Sequence, residues 1–190
     1  MSKFIAHWMN KNIRHWRKHL VPLFPDTGED RVYLEIGVFE GKSAIWMLEH
    51  FFKSAGSKAY LIDTFQSAGR RRSRKKYGVG AEVEARARDN LKRFGDKVEI
   101  LKGKSRDVLQ TDKIQNLKGM IDLVYIDGAH HADSAYHDAV ATSHLLKVGG
   151  VQMWDDTHLA GVRSSLARFE DEYAESFEKI WNSRHTAGFI

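Results

Sequence analysis

A doubly wound α/β fold is the class that this sequence predicts, with a mostly parallel sheet covered by helices on both faces. Short apolar runs typical of buried strands alternate with segments in which apolar residues recur at helical spacing. The first run, Val32–Ile36, leads into a turn that contains Gly37 and Gly41, and a helical pattern begins at Lys42. The run Ile121–Ile126 is almost entirely apolar, as expected of a central parallel strand. A strand, a glycine turn and a helix form the first ligand crevice of such a sheet.

Length and composition are those of a single soluble globular domain. The chain has 190 residues, of which 42% are hydrophobic and 29% charged, enough for a sizeable core. No apolar run approaches the roughly 20 residues of a membrane span, and no signal peptide is expected. The absence of cysteine excludes disulfides, thiolate zinc sites and thiol catalysis, and it suits a reducing compartment, so we expect a cytoplasmic protein. The net charge of +5 permits nucleic-acid or acidic-ligand binding without requiring either.

Residues 1–28 predict an amphipathic helix, over 3–20, followed by a loop that carries Pro22 and Pro25. Lysine and arginine occupy the side of the helix opposite its apolar stripe. We expect the helix to pack over the sheet or against a second subunit in a homodimer, since attachment to a membrane surface needs more than one such feature. The apolar residues at helical spacing are Phe4, Ile5, Trp8, Met9, Ile13, Trp16 and Leu20.

The elements after the first strand are assigned from spacing and from turn residues. A stripe of Val83, Ala87 and Leu91 predicts a helix, and Gly149 with Gly150 introduces the fifth strand. In chain order, the prediction is helix 42–54, strand 58–62, helix 82–94, strand 97–101, strand 121–126, strand 151–154, helix 160–174, and final strands 178–182 and 186–190.

A basic insert, residues 66–80, interrupts this alternation after the second strand. Six of the seven residues from 70 to 76 are lysine or arginine, a run that cannot lie in a core. We expect the insert at the rim of the crevice, as a lid over an anionic substrate or as a solvated loop. A phosphate contact for RNA ranks below these, because only Tyr77 offers a surface on which a base can stack.

The first turn has the spacing G-x-x-x-G, and Glu35 precedes its first glycine by two residues. A dinucleotide-binding turn would read G-x-G-x-x-G, which disfavours a nucleotide-binding dehydrogenase. A carboxylate at this place repels a pyrophosphate but accepts from an ammonium or a hydroxyl, which favours a cationic nucleoside such as S-adenosylmethionine. Asp63, 26 residues after Gly37, ends the second strand and is placed to hold ribose hydroxyls. The alternative is a plain strand-to-helix turn.

Three acids follow neighbouring central strands at the edge of the sheet where such folds bind ligands. Asp127 ends the fourth strand, and Asp155 and Asp156 end the fifth. Clustered carboxylates repel one another unless a cation lies between them, and oxygen ligands suit Mg²⁺, with Mn²⁺ or Ca²⁺ as substitutes. His130 and His131 lie in the loop after Asp127, so a metal and a base can act side by side on a hydroxyl. The alternative is that the acids cap helices and these histidines lie on the surface. The histidines assigned to the surface or to packing are His137, His144 and His158.

Six sequence motifs occur in the order found in a known enzyme family. They are L-E-I-G-x-x-x-G (34–41), D-T-F (63–65), G-K-S (103–105), L-V-Y-I-D-G-A-H (123–130), L-K-V-G-G (146–150) and D-D-T (155–157). Together they resemble the class I S-adenosylmethionine-dependent methyltransferases, in the metal-dependent O-methyltransferase group of the catechol and macrocin kind. The resemblance spans about residues 31–158, and both the helix 3–20 and the basic residues 70–76 lie outside the shared motifs.

The resemblance implies a Rossmann-like sheet of seven strands, the last one antiparallel, and a bound S-adenosylmethionine. It implies metal ligands at Asp127, Asp155 and Asp156, and a catalytic base, His130, that acts together with Asp127. Catechol-type members carry a lysine base and an Asp–Asn pair, so His130 and the pair of aspartates place this chain closer to the sugar-modifying macrocin type. The cofactor contacts implied by the motifs are Glu35, Gly37, Gly41, Ser43, Asp63, Thr64 and Ser105.

The predicted function is therefore the Mg²⁺-dependent transfer of a methyl group from S-adenosylmethionine to a hydroxyl group of a small sugar or phenolic acceptor. The main alternative is an RNA-directed methyltransferase that uses the basic residues 70–76 for phosphate contacts. A non-catalytic binding module is disfavoured, because the cofactor and metal motifs are both present.

Overall fold

Seven strands form one sheet in the computed structural model of the chain, which describes residues 4–6, 8–66, 77–78 and 80–190. In chain order the strands are β1 (Val32–Ile36), β2 (Lys58–Asp63), β3 (Val98–Lys102), β4 (Ile121–Ile126), β5 (Leu146–Trp154), β6 (Lys179–Asn182) and β7 (Ala187–Phe189). Their order across the sheet is β3-β2-β1-β4-β5-β7-β6. Strands β1 to β5 are parallel, whereas β7 runs antiparallel to both β5 and β6. The predicted doubly wound, mostly parallel sheet of seven strands is confirmed.

Helices cover both faces of this sheet. Their bounds are α1 (Ile13–Leu20), α2 (Lys42–His50), α3 (Ala81–Leu91), α4 (Ser105–Val108), α5 (Asp112–Gln115), α6 (Ala132–Ser143) and α7 (Ala160–Glu172). Short 3₁₀ segments precede α1, at Trp8–Lys11, and follow α3, at Lys92–Lys97. Within the described ranges, every helix is too short or too polar to cross a membrane.

Side chains of β4 alternate between two cores, one on each face of the sheet. Leu123 and Tyr125 join the core formed with α1 and α2, whereas Val124 between them joins the core formed with α6 and α7. On the first face, the ring of Trp16 lies 5.4 Å from that of Trp46 and 5.2 Å from that of Tyr125. The apolar stripe of α1 therefore packs over the sheet, the first of the two arrangements predicted for it.

The N-terminal segment departs from the predicted helix 3–20, since only its second half forms the α-helix α1. The carboxylate of Glu40 accepts hydrogen bonds from the backbone N–H groups of Ile5 and Ala6, at 3.0 and 3.2 Å. These long-range bonds join Ile5 and Ala6 to the turn between β1 and α2, in place of helical bonds.

Further elements differ from the prediction, among them the four-residue helices α4 and α5, which it does not contain. Strand β5 begins earlier than the predicted 151–154, because Ile121 pairs with Leu146 and a register shift precedes the pairing of Leu123 with Val151. Helix α6 was not predicted at all, since its alanines, aspartates and threonine give no clear apolar stripe. The final strands 178–182 and 186–190 correspond to β6 and β7.

The basic insert is described only at Gln66, Tyr77, Gly78 and Gly80. Its residues 70–76 lie outside the described part of the chain, so their role as a lid, an RNA contact or a solvated loop stays a prediction.

Strands β1 and β4 are neighbours in the sheet although β2 and β3 lie between them in the sequence. The chain runs outward from β1 on one side and from β4 on the other, so the loops that follow these two strands diverge. A crevice opens at such a switch point, and open α/β sheets bind their ligands there.

Candidate active site

A cavity of about 690 Å³ lies at the carboxyl ends of β1 to β4, at the switch point of the sheet. Its size falls within the range of small-molecule and cofactor sites, about 300–1,000 Å³. The cavity brings together seven of the residues that the sequence predicted for cofactor, metal and base. They are Gly37, Asp63, Thr64, Ser105, Asp127, His130 and Asp156.

Backbone strain is concentrated in the loops around this cavity. Among the described residues other than glycine, only Phe39, Phe65 and Asp156 have a positive φ, with values of 51°, 55° and 52°. They follow β1, β2 and β5, and all three line the cavity. Such conformations cost about 1–3 kcal/mol each and cluster at functional sites. This edge of the sheet is therefore a candidate functional site.

The two glycines of the first turn are required by packing within the fold. Gly37 has a φ of 93°, and a Cβ there would lie 1.9 Å from the carbonyl oxygen of Asp127. Gly41 has a φ of 76°, and a Cβ there would lie 2.8 Å from the side chain of Leu91. Only Gly37 of the two lines the large cavity, so a cofactor contact at Gly41 stays a prediction.

The carboxylate of Asp63 joins the end of β2 to the turn after β1. One oxygen accepts from the N–H groups of Val38 and Phe39, both at 2.8 Å, and the other accepts from the N–H of Phe65 at 2.6 Å. A carboxylate has about four acceptor sites, so one remains for a ligand hydroxyl. This position agrees with the ribose contact expected for Asp63, and its charge is already directed at the cavity.

Glu35 lies beneath the glycine turn and does not line the large cavity. Its buried carboxylate accepts hydrogen bonds from the hydroxyl of Ser43 and, at 2.8 Å, from that of Tyr33. Burial raises the pKa of Glu35 to about 8, although both hydrogen bonds act in the other direction. Ser43 faces a separate cavity of about 60 Å³, also lined by Ala6 and Asp155. Direct cofactor contacts at Glu35 and Ser43 therefore stay predictions, and the structure shows them holding the start of α2.

We expect the free energy of unfolding to fall as the pH rises from about 4.5 to about 8, because of Glu35. The unfolded chain releases this proton near the usual pKa of 4.5, whereas the folded chain keeps it up to about 8. The free energy of unfolding falls by on the order of 3–5 kcal/mol once the pH exceeds both pKa values. Glu35→Gln should make this slope shallower in denaturation curves measured across the window without cofactor, and the raised pKa values of Asp127 and Asp138 account for the slope that remains. The exposed Glu175→Gln is the matched control, and identical slopes in the two variants would contradict the assignment.

A potential metal site is formed by Asp127, His130 and Asp156. Each offers one ligand atom, and these atoms lie within 4.8 Å of one another. Burial and then the neighbouring charges of Asp155 and Asp156 raise the pKa of Asp127 well above its usual range. Two carboxylates and an imidazole are donors that divalent cations accept, and a cation would relieve this repulsion.

Asp155 is adjacent to this group but is occupied by other partners. Its carboxylate accepts from the hydroxyl of Tyr125 at 2.7 Å and from the amide of Asn12 at 3.0 and 3.1 Å. Its predicted role as a metal ligand stays a prediction, and the structure gives it the role of fixing the N-terminal segment to the end of β5.

Of the two histidines that follow Asp127, His130 is the one that contacts the acid cluster. Its Nε2 atom lies 3.2 Å from Oδ2 of Asp156, and this hydrogen bond raises the pKa of His130 and lowers that of Asp156. His131 is exposed at the start of α6 and does not line the cavity. The arrangement of an imidazole oriented by a carboxylate is suited to accepting a proton.

Several residues at the site were missed by sequence reasoning. His137 and His158 were assigned to the surface or to packing, but His137 lines the cavity and His158 lies 3.8 Å from Asp156. Asp138 is buried against the same cavity, and burial raises its pKa to about 6. Asn12 reaches Asp155 from 143 positions away. No local pattern signals the contact of Asn12, whereas the position of Asp138 soon after the loop that carries Asp127 is a signal in the sequence.

Comparison with known proteins agrees with this fold. A family profile described as a methyltransferase domain matches residues 34–157. A comparison with curated protein sequences finds no match.

Solved structures with a similar fold include the O-methyltransferase NovP, with a TM-score of 0.70 and 18% identity over 94% of this chain and 78% of that one. The calicheamicin methyltransferase CalS11 has a TM-score of 0.69 and 13% identity, over 96% and 79% of the two chains. The apo structure of CalS11, a TDP-rhamnose 3′-O-methyltransferase, gives 0.67 and 13%, over 96% and 80%. At these identities the likeness shows the fold.

Proposed function

Because the chain belongs to the family of methyltransferase domains, we propose that it transfers a methyl group from S-adenosylmethionine to a hydroxyl group of a small molecule, with the help of a divalent cation. The observation that carries this proposal is the single cavity that holds both Asp63 and the group of Asp127, His130 and Asp156. A cofactor site and a proton-accepting site at one crevice are what a methyl transfer to oxygen requires.

The cofactor fits the residues around the first turn. When bound, S-adenosylmethionine supplies an electrophilic methyl group. The free acceptor site of Asp63 would hold a ribose hydroxyl, and Thr64 and Ser105 line the cavity beside it. Glu35 acts from below, since its hydrogen bond with Ser43 fixes the first turn of α2 against the end of β1.

A divalent cation fits the acid cluster, where it would be held by Asp127 and Asp156. Such a cation supplies Lewis acidity, which lowers the pKa of a neighbouring hydroxyl. The fit rests on the donor chemistry and on the neighbouring charges of Asp155 and Asp156, which act together with burial to raise the pKa of Asp127. Asp155 supports this arrangement through Tyr125 and Asn12.

His130 accepts the proton of the acceptor hydroxyl. With Nε2 donating to Asp156, Nδ1 carries the lone pair that takes the proton, and Asp156 stabilises the imidazolium that results. Holding the acceptor oxygen beside this base contributes by positioning as well as by proton transfer.

We propose that the methyl acceptor is a sugar or a phenolic compound that carries a hydroxyl group. The use of His130 and the Asp155–Asp156 pair, in place of a lysine and an Asp–Asn pair, supports a sugar hydroxyl. The structurally similar CalS11, described as a TDP-rhamnose 3′-O-methyltransferase, supports the same choice.

Calorimetry with S-adenosylhomocysteine tests the cofactor assignment. We expect the chain to bind it, and Asp63→Asn to weaken binding about tenfold, because the neutral amide is a poorer partner for a ribose hydroxyl than the carboxylate. The exposed Asp171→Asn makes the same charge change away from the cavity and should bind normally. Tight binding of NADH with no response to S-adenosylhomocysteine would overturn the proposal.

A further inference from the structure

A buried carboxylate on α6 faces the large cavity and belongs neither to the proposed metal site nor to the base. Asp138 is only 2% exposed, whereas the other acids that line this cavity are half-buried or exposed. It lies outside the six sequence motifs, and the fold brings it to the cavity on α6. A charged group is rarely buried unless a partner satisfies it. Asp138 is therefore a candidate contact for a polar atom of a ligand.

The protein leaves most of the hydrogen-bonding capacity of Asp138 unused. Within the described ranges, the hydroxyl of Ser105 is the one donor found for its carboxylate. The Nδ1 atom of His137 lies 3.9 Å from Oδ1, beyond hydrogen-bond distance. A carboxylate has about four acceptor sites, so a ligand can donate to this one. The backbone of Gly128 passes close to Oδ2, since a Cβ added there would lie 3.4 Å from that atom.

The position of Asp138 relative to the sheet corresponds to the nucleobase of the proposed cofactor. Asp63, the proposed ribose contact, ends β2, which lies between β3 and β1. The acid cluster follows β4 and β5, beyond β1, whereas Ser105 follows β3 on the opposite side. In a nucleoside, the base and the 5′ carbon leave the ribose on opposite sides of its ring oxygen. With the methyl group on the 5′ side directed at the acid cluster, the base is directed at Ser105 and Asp138.

We propose that Asp138 selects the nucleobase of the cofactor by accepting a hydrogen bond from the 6-amino group of adenine. An ionised carboxylate has acceptors only, so it satisfies an amino group and repels the oxygen of a 6-oxopurine. Ser105 holds the carboxylate from the start of α4. The inference rests on the proposed function, since it names the residue that gives the cofactor site its preference for adenine.

The exposed side chains at the same end of the cavity are less suited to this selection. Lys104, Arg106 and Asp107 also follow β3 and line the cavity, but water competes for each of them. A buried acceptor discriminates more strongly, because a ligand without the matching donor leaves the carboxylate unpaired and out of water. The missing hydrogen bond to a charged group then costs about 10- to 100-fold in affinity.

Calorimetry with S-adenosylhomocysteine and with S-inosylhomocysteine tests this selection. In the second ligand an oxygen replaces the 6-amino group and a proton is carried on N1, and the rest of the molecule is the same. We expect the unmodified chain to prefer the adenosyl ligand by about 10- to 100-fold at about pH 8, where Asp138 is ionised because its pKa is about 6. In Asp138→Asn the preference should fall to about threefold or less, since an amide donates as well as accepts.

Two control variants separate selection from a general loss of binding. Asp133→Asn makes the same change at an exposed position of the same helix, outside the cavity, and should keep both affinities. Asp63→Asn should weaken both ligands equally and keep the preference, because the two ligands share the ribose. Asp138→Ser, in which the side chain no longer reaches the base, is a second test variant and should lose the preference as Asp138→Asn does.

Equal affinities of the unmodified chain for the two ligands would overturn this role of Asp138. A preference that persists in Asp138→Asn or in Asp138→Ser would also overturn it, even if both affinities fall together, because a purely structural role predicts that result. Binding of S-adenosylhomocysteine without the preference refutes only the role of Asp138. If neither ligand binds, the proposed methyl transfer fails as well.

Discussion

Replacing His130 with alanine is expected to lower kcat by about 10²- to 10⁴-fold, the usual cost of losing a positioned general base. The imidazole is oriented by Asp156 through Nε2 at 3.2 Å, and this carboxylate raises the pKa of His130, which makes it a stronger base. S-adenosylhomocysteine affinity should not change, because Asp63 and the first turn, and not His130, are the proposed cofactor contacts. Turnover with saturating cofactor and acceptor, together with calorimetry, separates the two effects.

His131→Ala is the matched control for this prediction, since His131 is the next residue, is exposed and does not line the cavity. It should change kcat little. A His130→Ala enzyme with near-normal kcat at every pH would mean that His130 only orients the acceptor. A large loss of kcat in His131→Ala would mean that His131, and not His130, is the base.

Chelation of divalent cations is expected to abolish methyl transfer, and added Mg²⁺ or Mn²⁺ to restore it. Burial, and then the charges of Asp155 and Asp156, raise the pKa of Asp127 well above its usual range, and a cation among these half-buried carboxylates would relieve their repulsion. Asp156→Asn removes one of the charged donors and should weaken Mn²⁺ binding at least about tenfold, as followed by electron paramagnetic resonance. Full turnover in excess chelator would show that these acids are structural.

Asp155→Asn is the comparison that assigns the ligands. An asparagine at this position keeps one oxygen that can accept from Tyr125 and Asn12, although its NH2 group cannot accept from the Asp156 N–H, so a residue that only positions its neighbours should tolerate the change in part. We therefore expect a smaller loss of Mn²⁺ affinity than in Asp156→Asn. An equal loss would make Asp155 a ligand, as the resemblance to the catechol and macrocin enzymes implies.

The sequence predicts that Asp127, Asp155 and Asp156 meet at one edge of the sheet, with His130 close to them. Each acid follows an apolar run of strand length, and the carboxyl ends of parallel strands meet at one edge of a sheet. Only a short loop separates His130 from Asp127, so the histidine had to lie near the same edge. In the structure, ligand atoms of Asp127, His130 and Asp156 lie within 4.8 Å of one another, and the roles of these residues stay predictions.

The separate orientations of Asp155 and Asp156 were not predictable in this way. The two residues are adjacent, and sequence reasoning gave them one role. In the fold, Asp156 adopts a φ of 52° and turns toward His130, whereas Asp155 turns toward Tyr125 and Asn12. Partners from other elements, and not the local sequence, set each direction.

The sequence by itself determined the alternating strands and helices, the glycine turn and the edge of the sheet at which the acids gather, because apolar spacing and turn residues act over a few neighbouring positions. Only the tertiary structure decided that the segment before α1 does not continue the predicted helix and instead packs against the residues that follow β5. The contacts responsible join Asn12 to Asp155 and Lys11 to His185, 143 and 174 positions apart. Bonds between residues so distant along the chain leave no local pattern, and they form only when the sheet has brought its strand ends together.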